Sequence, residues 1–141
     1  MVAFSPIPIL NIMKESVNCL ESGDTSLFIM ATRSTVESGL YDKEIGDKNK
    51  NLIWNASLQD MVDELIIQSK ATGISQETLI LWSQLEISFV EQGVQEVIIA
   101  CTDLSFCVNY RKDYKIRYYD SSLILAESLV SYFIEQKIKR K

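Results

Sequence analysis

Val94-Gln95-Glu96-Val97-Ile98-Ile99-Ala100-Cys101-Thr102-Asp103-Leu104 decides the reading of this chain. An apolar run of strand length stops at a cysteine and passes into small polar residues. The pattern places one thiol at the end of a buried strand. In open α/β sheets ligands gather where a parallel strand ends and a helix begins, because unpaired N–H groups and side chains converge there. Cys101 is therefore the first candidate for chemistry, although a buried cysteine that merely packs at a strand end has the same local sequence.

Working outward, strand and helix signals alternate with short connections. Ile9 to Leu20 has the three-four apolar spacing of a helix and ends at the turn Ser22-Gly23-Asp24. Leu27 to Ala31 reads as a strand. Ser34 followed by Glu37 has capping-box spacing and starts a helix toward Ile45. After the polar turn Gly46 to Asn51, Leu52 to Trp54 can form a short strand. Ser57 is expected to cap a helix bearing Met61, Leu65 and Ile66, and Ser75 another with Leu79, Trp82, Leu85 and Phe89 inward. Val94 to Ala100 and Lys115 to Tyr119 complete the strands, and Asp120-Ser121-Ser122 caps a last helix. Such alternation predicts an α/β fold, a three-layer lobe with a small, mainly parallel sheet flanked by helices.

Composition narrows the function classes. The 141 residues, 47% hydrophobic and 23% charged, suit one domain with a real core. With 19 acidic against 14 basic side chains the formal charge is −5, which argues against nucleic acid as a partner. Lys137, Lys139, Arg140 and Lys141 form the one basic cluster, as expected of a solvated helix end. The apolar start, Met1 to Met13, lacks the basic region and cleavage pattern of a signal peptide, and no run is long enough to span a bilayer, so a cytoplasmic protein without membrane attachment is expected. Three cysteines without framework spacing point to reduced thiols, and the absence of histidine excludes a Cys-His or Ser-His pair from this chain. Without Cys-x-x-Cys spacing no zinc site is expected either.

The Cys101 stretch resembles the second-cysteine motif of the aspartate/glutamate racemase family, Gly-Cys-Thr-Glu-Ile/Leu, with Ala100 for the glycine and Asp103 for the glutamate. Phe28-Ile29-Met30-Ala31-Thr32-Arg33-Ser34-Thr35-Val36-Glu37 resembles the strand, threonine-rich turn and helix that open the family's second lobe. Ile116-Arg117-Tyr118-Tyr119-Asp120-Ser121-Ser122, with Ala126-Glu127, resembles its last strand and closing helix. The resemblance implies amino-acid racemisation without a cofactor. Two thiols would face each other across the α-carbon, one acting as base and the other as acid, with Cys101 as the catalytic thiol from this chain.

The same resemblance implies substrate contacts from Thr32, Arg33, Ser34, Thr35 and Thr102. Helix capping alone also explains Ser34 and Glu37. The family's first cysteine motif has no counterpart before Ile7, so the resemblance implies a protein truncated to the second half and inactive by itself. On this map residues 1–24 are a segment and helix from the inter-lobe connection, 25–119 the lobe carrying Cys101, and 120–141 a helix that would pack on the absent lobe. A helix without its packing surface becomes an interface, so a homo-oligomer or a separate polypeptide carrying that lobe is expected as partner. A decarboxylase-like enzyme using one cysteine and a non-catalytic interaction module are the rival readings. Cys107 could pass for a second base, and Cys19 for a core or interface residue. Trp54, Trp82 and Tyr110, Tyr114, Tyr118 and Tyr119 suit core and rim packing or, less simply, a stacking surface.

Overall fold

A computed structural model describes residues 12–20 and 23–139. Ile9, where the first helix was expected to start, and Ser22, Arg140 and Lys141 lie outside the described residues. The order of elements is α1 (Ile12–Asn18), β1 (Ser26–Met30), α2 (Arg33–Glu37), α3 (Leu40–Ile45), β2 (Asn51–Leu52), α4 (Ala56–Thr72), α5 (Gln76–Glu91), β3 (Glu96–Ile99), β4 (Arg117–Asp120) and α6 (Ser121–Lys139). Short 3-10 segments occupy Gly46–Lys48 and Thr102–Tyr110.

All four strands are parallel, in the order β2-β1-β3-β4. Because side chains alternate along a strand, β1 feeds two cores at once. Phe28 and Met30 join Val97 and Ile99 under α4 and α5, where Leu58, Leu65, Trp82, Leu85 and Phe89 are fully buried or nearly so. Leu27 and Ile29 join Ile98 on the other face, against Val17 of α1 and Tyr41 and Ile45 of α3. The central strands are thus apolar on both sides, as parallel strands covered twice must be. No helix of the described residues is long and apolar enough to cross a membrane.

Three helix starts differ in detail from expectation, each for a local reason. Thr32, not Ser34, is the N-cap of α2, its Oγ1 accepting from the Thr35 N–H at 3.4 Å. Gly39 at φ +71° breaks the expected single helix into α2 and α3. Asn55, not Ser57, caps α4 by accepting from the Leu58 N–H at 2.9 Å. Ser75 caps α5 as its position suggests, and Asp120 accepts from the Ser122 N–H at 3.1 Å at the start of α6.

The amino edge of the sheet holds a buried ion pair. Glu96, the first residue of β3, meets Lys50 Nζ at 2.6 Å, and each side chain is 2% exposed. The Thr25 hydroxyl donates to the same carboxylate, and Tyr119 OH donates to its other oxygen at 3.0 Å. Burial alone would raise the Glu96 carboxyl, but Lys50, Thr25 and Tyr119 outweigh it and hold it below the usual range. Lys50→Met, which strands the carboxylate, is expected to lose about 3–5 kcal/mol in urea unfolding at neutral pH. Since Glu96 titrates lower in the folded chain, its contribution is complete above its ordinary value of 4.5 and fades as the pH falls through the folded value. Glu96→Gln should therefore flatten the acid limb of a stability–pH curve.

Candidate active site

The chain runs from β1 outward to β2, then crosses back to β3 and on to β4, so the sheet changes winding direction between β1 and β3. Ligands of such sheets sit at the carboxyl ends of the two strands that flank this switch. Met30 pairs with Ile99, and the Ala100 N–H donates to the Met30 carbonyl at 2.8 Å. Continuing two residues beyond the ladder on each strand sets Thr32 and Cys101 at the same level of the edge. Residues 69 positions apart are thereby placed on one edge by strand register alone.

Cys101 is half-buried with an extended backbone (φ −138°, ψ 123°), and its carbonyl accepts from the Leu104 N–H at 3.0 Å. Thr102 and Asp103, which follow, are exposed. The Cys101 Sγ lies 4.0 Å from Asp103 Oδ2, and Lys70 Nζ at the end of α4 lies 3.8 Å from that oxygen. On the neighbouring strand Thr32, Ser34 and Thr35 form a hydroxyl cluster, with Thr32 Oγ1 at 2.9 Å from Thr35 Oγ1 and 3.3 Å from Ser34 Oγ. One strand further out, Asp120 accepts from Ser105 Oγ at 3.2 Å, and Ser121 Oγ donates to the Ile99 carbonyl at 2.7 Å.

Arg33 is tied to α4. Its Nη2 reaches Asp60 at 2.7 Å and Asp63 at 3.0 Å, and its Nε reaches Asp63 at 3.2 Å. Gln59, fully buried, completes the tie by donating to Asp63 at 2.9 Å and to the Ala31 carbonyl at 3.0 Å. The turn after β1 is thus clamped to α4 from both sides. Sequence reasoning did not find this clamp. Its trace was the spacing of Gln59, Asp60 and Asp63, which one helix face presents together.

The other two thiols differ from Cys101 in their surroundings. Cys107, within the 3-10 segment, is fully buried, and burial and then the nearby Glu86 push its thiol far above the ordinary range. Cys19 is exposed just past α1, ahead of the amino end of β1. Burial of part of its side chain, then Glu15 and Glu127, raise it as well.

The profile of the Asp/Glu/Hydantoin racemase family matches residues 2–129. The chain belongs to this family. It is 28% identical over 128 residues to the broad specificity amino-acid racemase RacX of Bacillus subtilis (strain 168), a match covering 91% of this chain and 56% of that protein. Among solved structures, the aspartate racemase of Picrophilus torridus superposes with a TM-score of 0.72 at 23% identity, over 89% of this chain and 52% of that one. The glutamate racemase of Francisella tularensis, solved with D-glutamate, gives 0.65 at 20% identity, over 94% and 50%. Those two superpositions establish the racemase fold. The chain spans about half the length of the relatives it matches.

The geometry separates Thr32 from Ser34. Thr32→Ala, which removes the cap of α2, is expected to lower stability by about 1 kcal/mol. Ser34→Ala, exposed and without that duty, should stay within about 0.5 kcal/mol in the same thermal melts.

Proposed function

We propose that this lobe carries one side of an amino-acid racemase site, with Cys101 as one of the two acid/base groups and no cofactor. Family membership supports the racemase class. The observation that supports the residue assignment is the strand register, which sets the Thr32–Thr35 hydroxyl cluster and Cys101 on neighbouring carboxyl ends at the switch between β1 and β3.

Racemisation requires a base on one face of the α-carbon and an acid on the other. A thiol suits both roles, since its ordinary ionisation lies close enough to neutrality for either form to be reached. In this reading Cys101 takes or returns the α-hydrogen. Thr32, Ser34, Thr35 and Thr102 receive the substrate carboxylate through their hydroxyls, and no buried cation is needed for that. Arg33, engaged by Asp60 and Asp63, acts by holding the Thr32 turn in place. An α-proton leaves readily only where water is excluded and the departing charge is met by oriented donors. Cys101 stands half-buried at the carboxyl end of β3, while Cys107 is buried in the core and Cys19 lies ahead of the amino end of β1. The opposing thiol and the water-excluding wall therefore come from a surface facing the carboxyl edge. By itself the lobe binds without inverting.

The test is chiral chromatography of aspartate, glutamate and neutral amino acids incubated with the purified chain in deuterated water. No inversion is expected from the chain alone. When the chain is joined in one polypeptide to the first half of a full-length racemase relative, inversion with α-deuterium incorporation is expected, and Cys101→Ser should remove at least about a hundredfold of it. Racemisation by the chain alone, or inversion that survives Cys101→Ser, overturns the assignment. Deuterium uptake without inversion in the joined protein would favour a single working base, as in the decarboxylase-like reading.

A further inference from the structure

The ladder between β1 and β2 ends before β1 does. The Leu27 carbonyl accepts from the Ile53 N–H at 2.8 Å, but β2 covers only Asn51–Leu52 and the chain turns into α4 at Ala56. Carbonyls along a strand point alternately to its two neighbours, so the Ala31 carbonyl faces the same side as that of Leu27, where β2 has already left. Ala31 is fully buried, and a carbonyl unpaired there would be costly. A side chain takes the place of the strand: Gln59 Nε2 donates to this carbonyl at 3.0 Å.

The rest of the Gln59 amide is engaged as well. Nε2 also donates to Asp63 Oδ1 at 2.9 Å, and the amide oxygen accepts from Trp54 Nε1 at 3.3 Å. Asp63 Oδ2 in turn accepts from Arg33. The residues on either side of Thr32 are therefore fixed to one point of α4, Ala31 through its carbonyl and Arg33 through its guanidinium. An amide suits that point because it donates twice and accepts at the same time, which an ionised carboxylate cannot do.

We infer that Gln59 is a positioning residue for the substrate carboxylate, acting through the Ala31–Thr32 peptide. The inference rests on the racemase reading above and adds to it what aims the hydroxyls. Thr32 Oγ1 is the centre of the cluster, within reach of the Thr35 N–H, Thr35 Oγ1 and Ser34 Oγ. Turning the peptide that precedes it would move the cluster as a unit, and small displacements of binding groups are costly. Cys101 is anchored separately, its carbonyl held by the Leu104 N–H. Loss of Gln59 should therefore weaken binding and spare the chemical step.

Gln59→Met keeps the length of the side chain and removes its hydrogen bonds, and two measurements on it test the inference. The first uses the chain by itself. The Thr35 and Val36 N–H groups donate to Thr32 Oγ1 and to the Thr32 carbonyl, and in the variant their hydrogen exchange should quicken about tenfold more than that of the β3 amides. The second uses the joined polypeptide described above, with the amino acid it inverts fastest. KM should rise about tenfold with kcat within about twofold, while Val62→Ala, a core truncation on the same helix, should leave KM unchanged. Exchange that quickens evenly through the sheet overturns the inference. So does a KM that stays constant while inversion still depends on Cys101, or one that rises equally in Val62→Ala. A joined protein that inverts nothing refutes the racemase reading instead, and the exchange result then still decides whether Gln59 holds the turn.

Discussion

The parallel pairing of β1 with β3 is the constraint from which the rest follows. Leu27 to Met30 runs beside Glu96 to Ile99 in one register, and both strands are apolar toward both faces of the sheet. A slip of one residue would exchange the two faces, driving Phe28 and Met30 into the smaller core under α1 and α3. Packing therefore enforces the register, and the register sets Thr32 beside Cys101. The site geometry is inherited from hydrophobic burial several residues away. Glu96 adds a second check at the other end of the ladder, because its carboxylate is satisfied only when Lys50, Thr25 and Tyr119 stand around it.

At the carboxyl edge the cations are already engaged. Arg33 is held by Asp60 and Asp63, and Lys70 lies beside Asp103. What the edge offers a carboxylate is a set of hydroxyls that can turn to donate. Such groups recognise an anion without the desolvation penalty that an unpaired buried charge would impose. The division between the thiols has the same origin. Cys107 is buried near Glu86, and burial and that carboxylate together push its thiol well above the ordinary range, while Cys101, six residues earlier, sits where its strand runs out.

Most of the architecture was legible because it is written in local patterns. The apolar runs of β1 and β3, the inward faces of α4 and α5 and the cap at Ser75 all follow from period and capping chemistry. The candidate site was legible as far as its positions, since a strand ending in Cys-Thr and another ending in Thr-Arg-Ser-Thr are visible in one dimension. Contacts across sequence were not. The ion pairs of Arg33 are an example, since nothing local to it signals that Asp60 and Asp63 lie in its reach. Glu96 sits in an apolar strand where only the fold reveals its partner at position 50. The caps at Thr32 and Asn55 displaced Ser34 and Ser57 because several adjacent polar residues could each have served, and the strand ends decided between them.

Two surfaces of the lobe have no covering layer among the described residues, and their chemistry differs in kind. The carboxyl edge is polar, carries a thiol and needs a facing wall to exclude water before proton transfer becomes productive. The outer face of α6 is apolar and needs only to be removed from water. Neither is required to hold the sheet together, because α1 and α3 close one face and α4 and α5 the other. The two demands can therefore be met separately. Covering α6 would add apolar burial alone, whereas the proposed reaction would need specific groups brought to the edge within hydrogen-bond reach of a substrate. In the proposed reading catalysis depends on what faces Cys101, and folding does not.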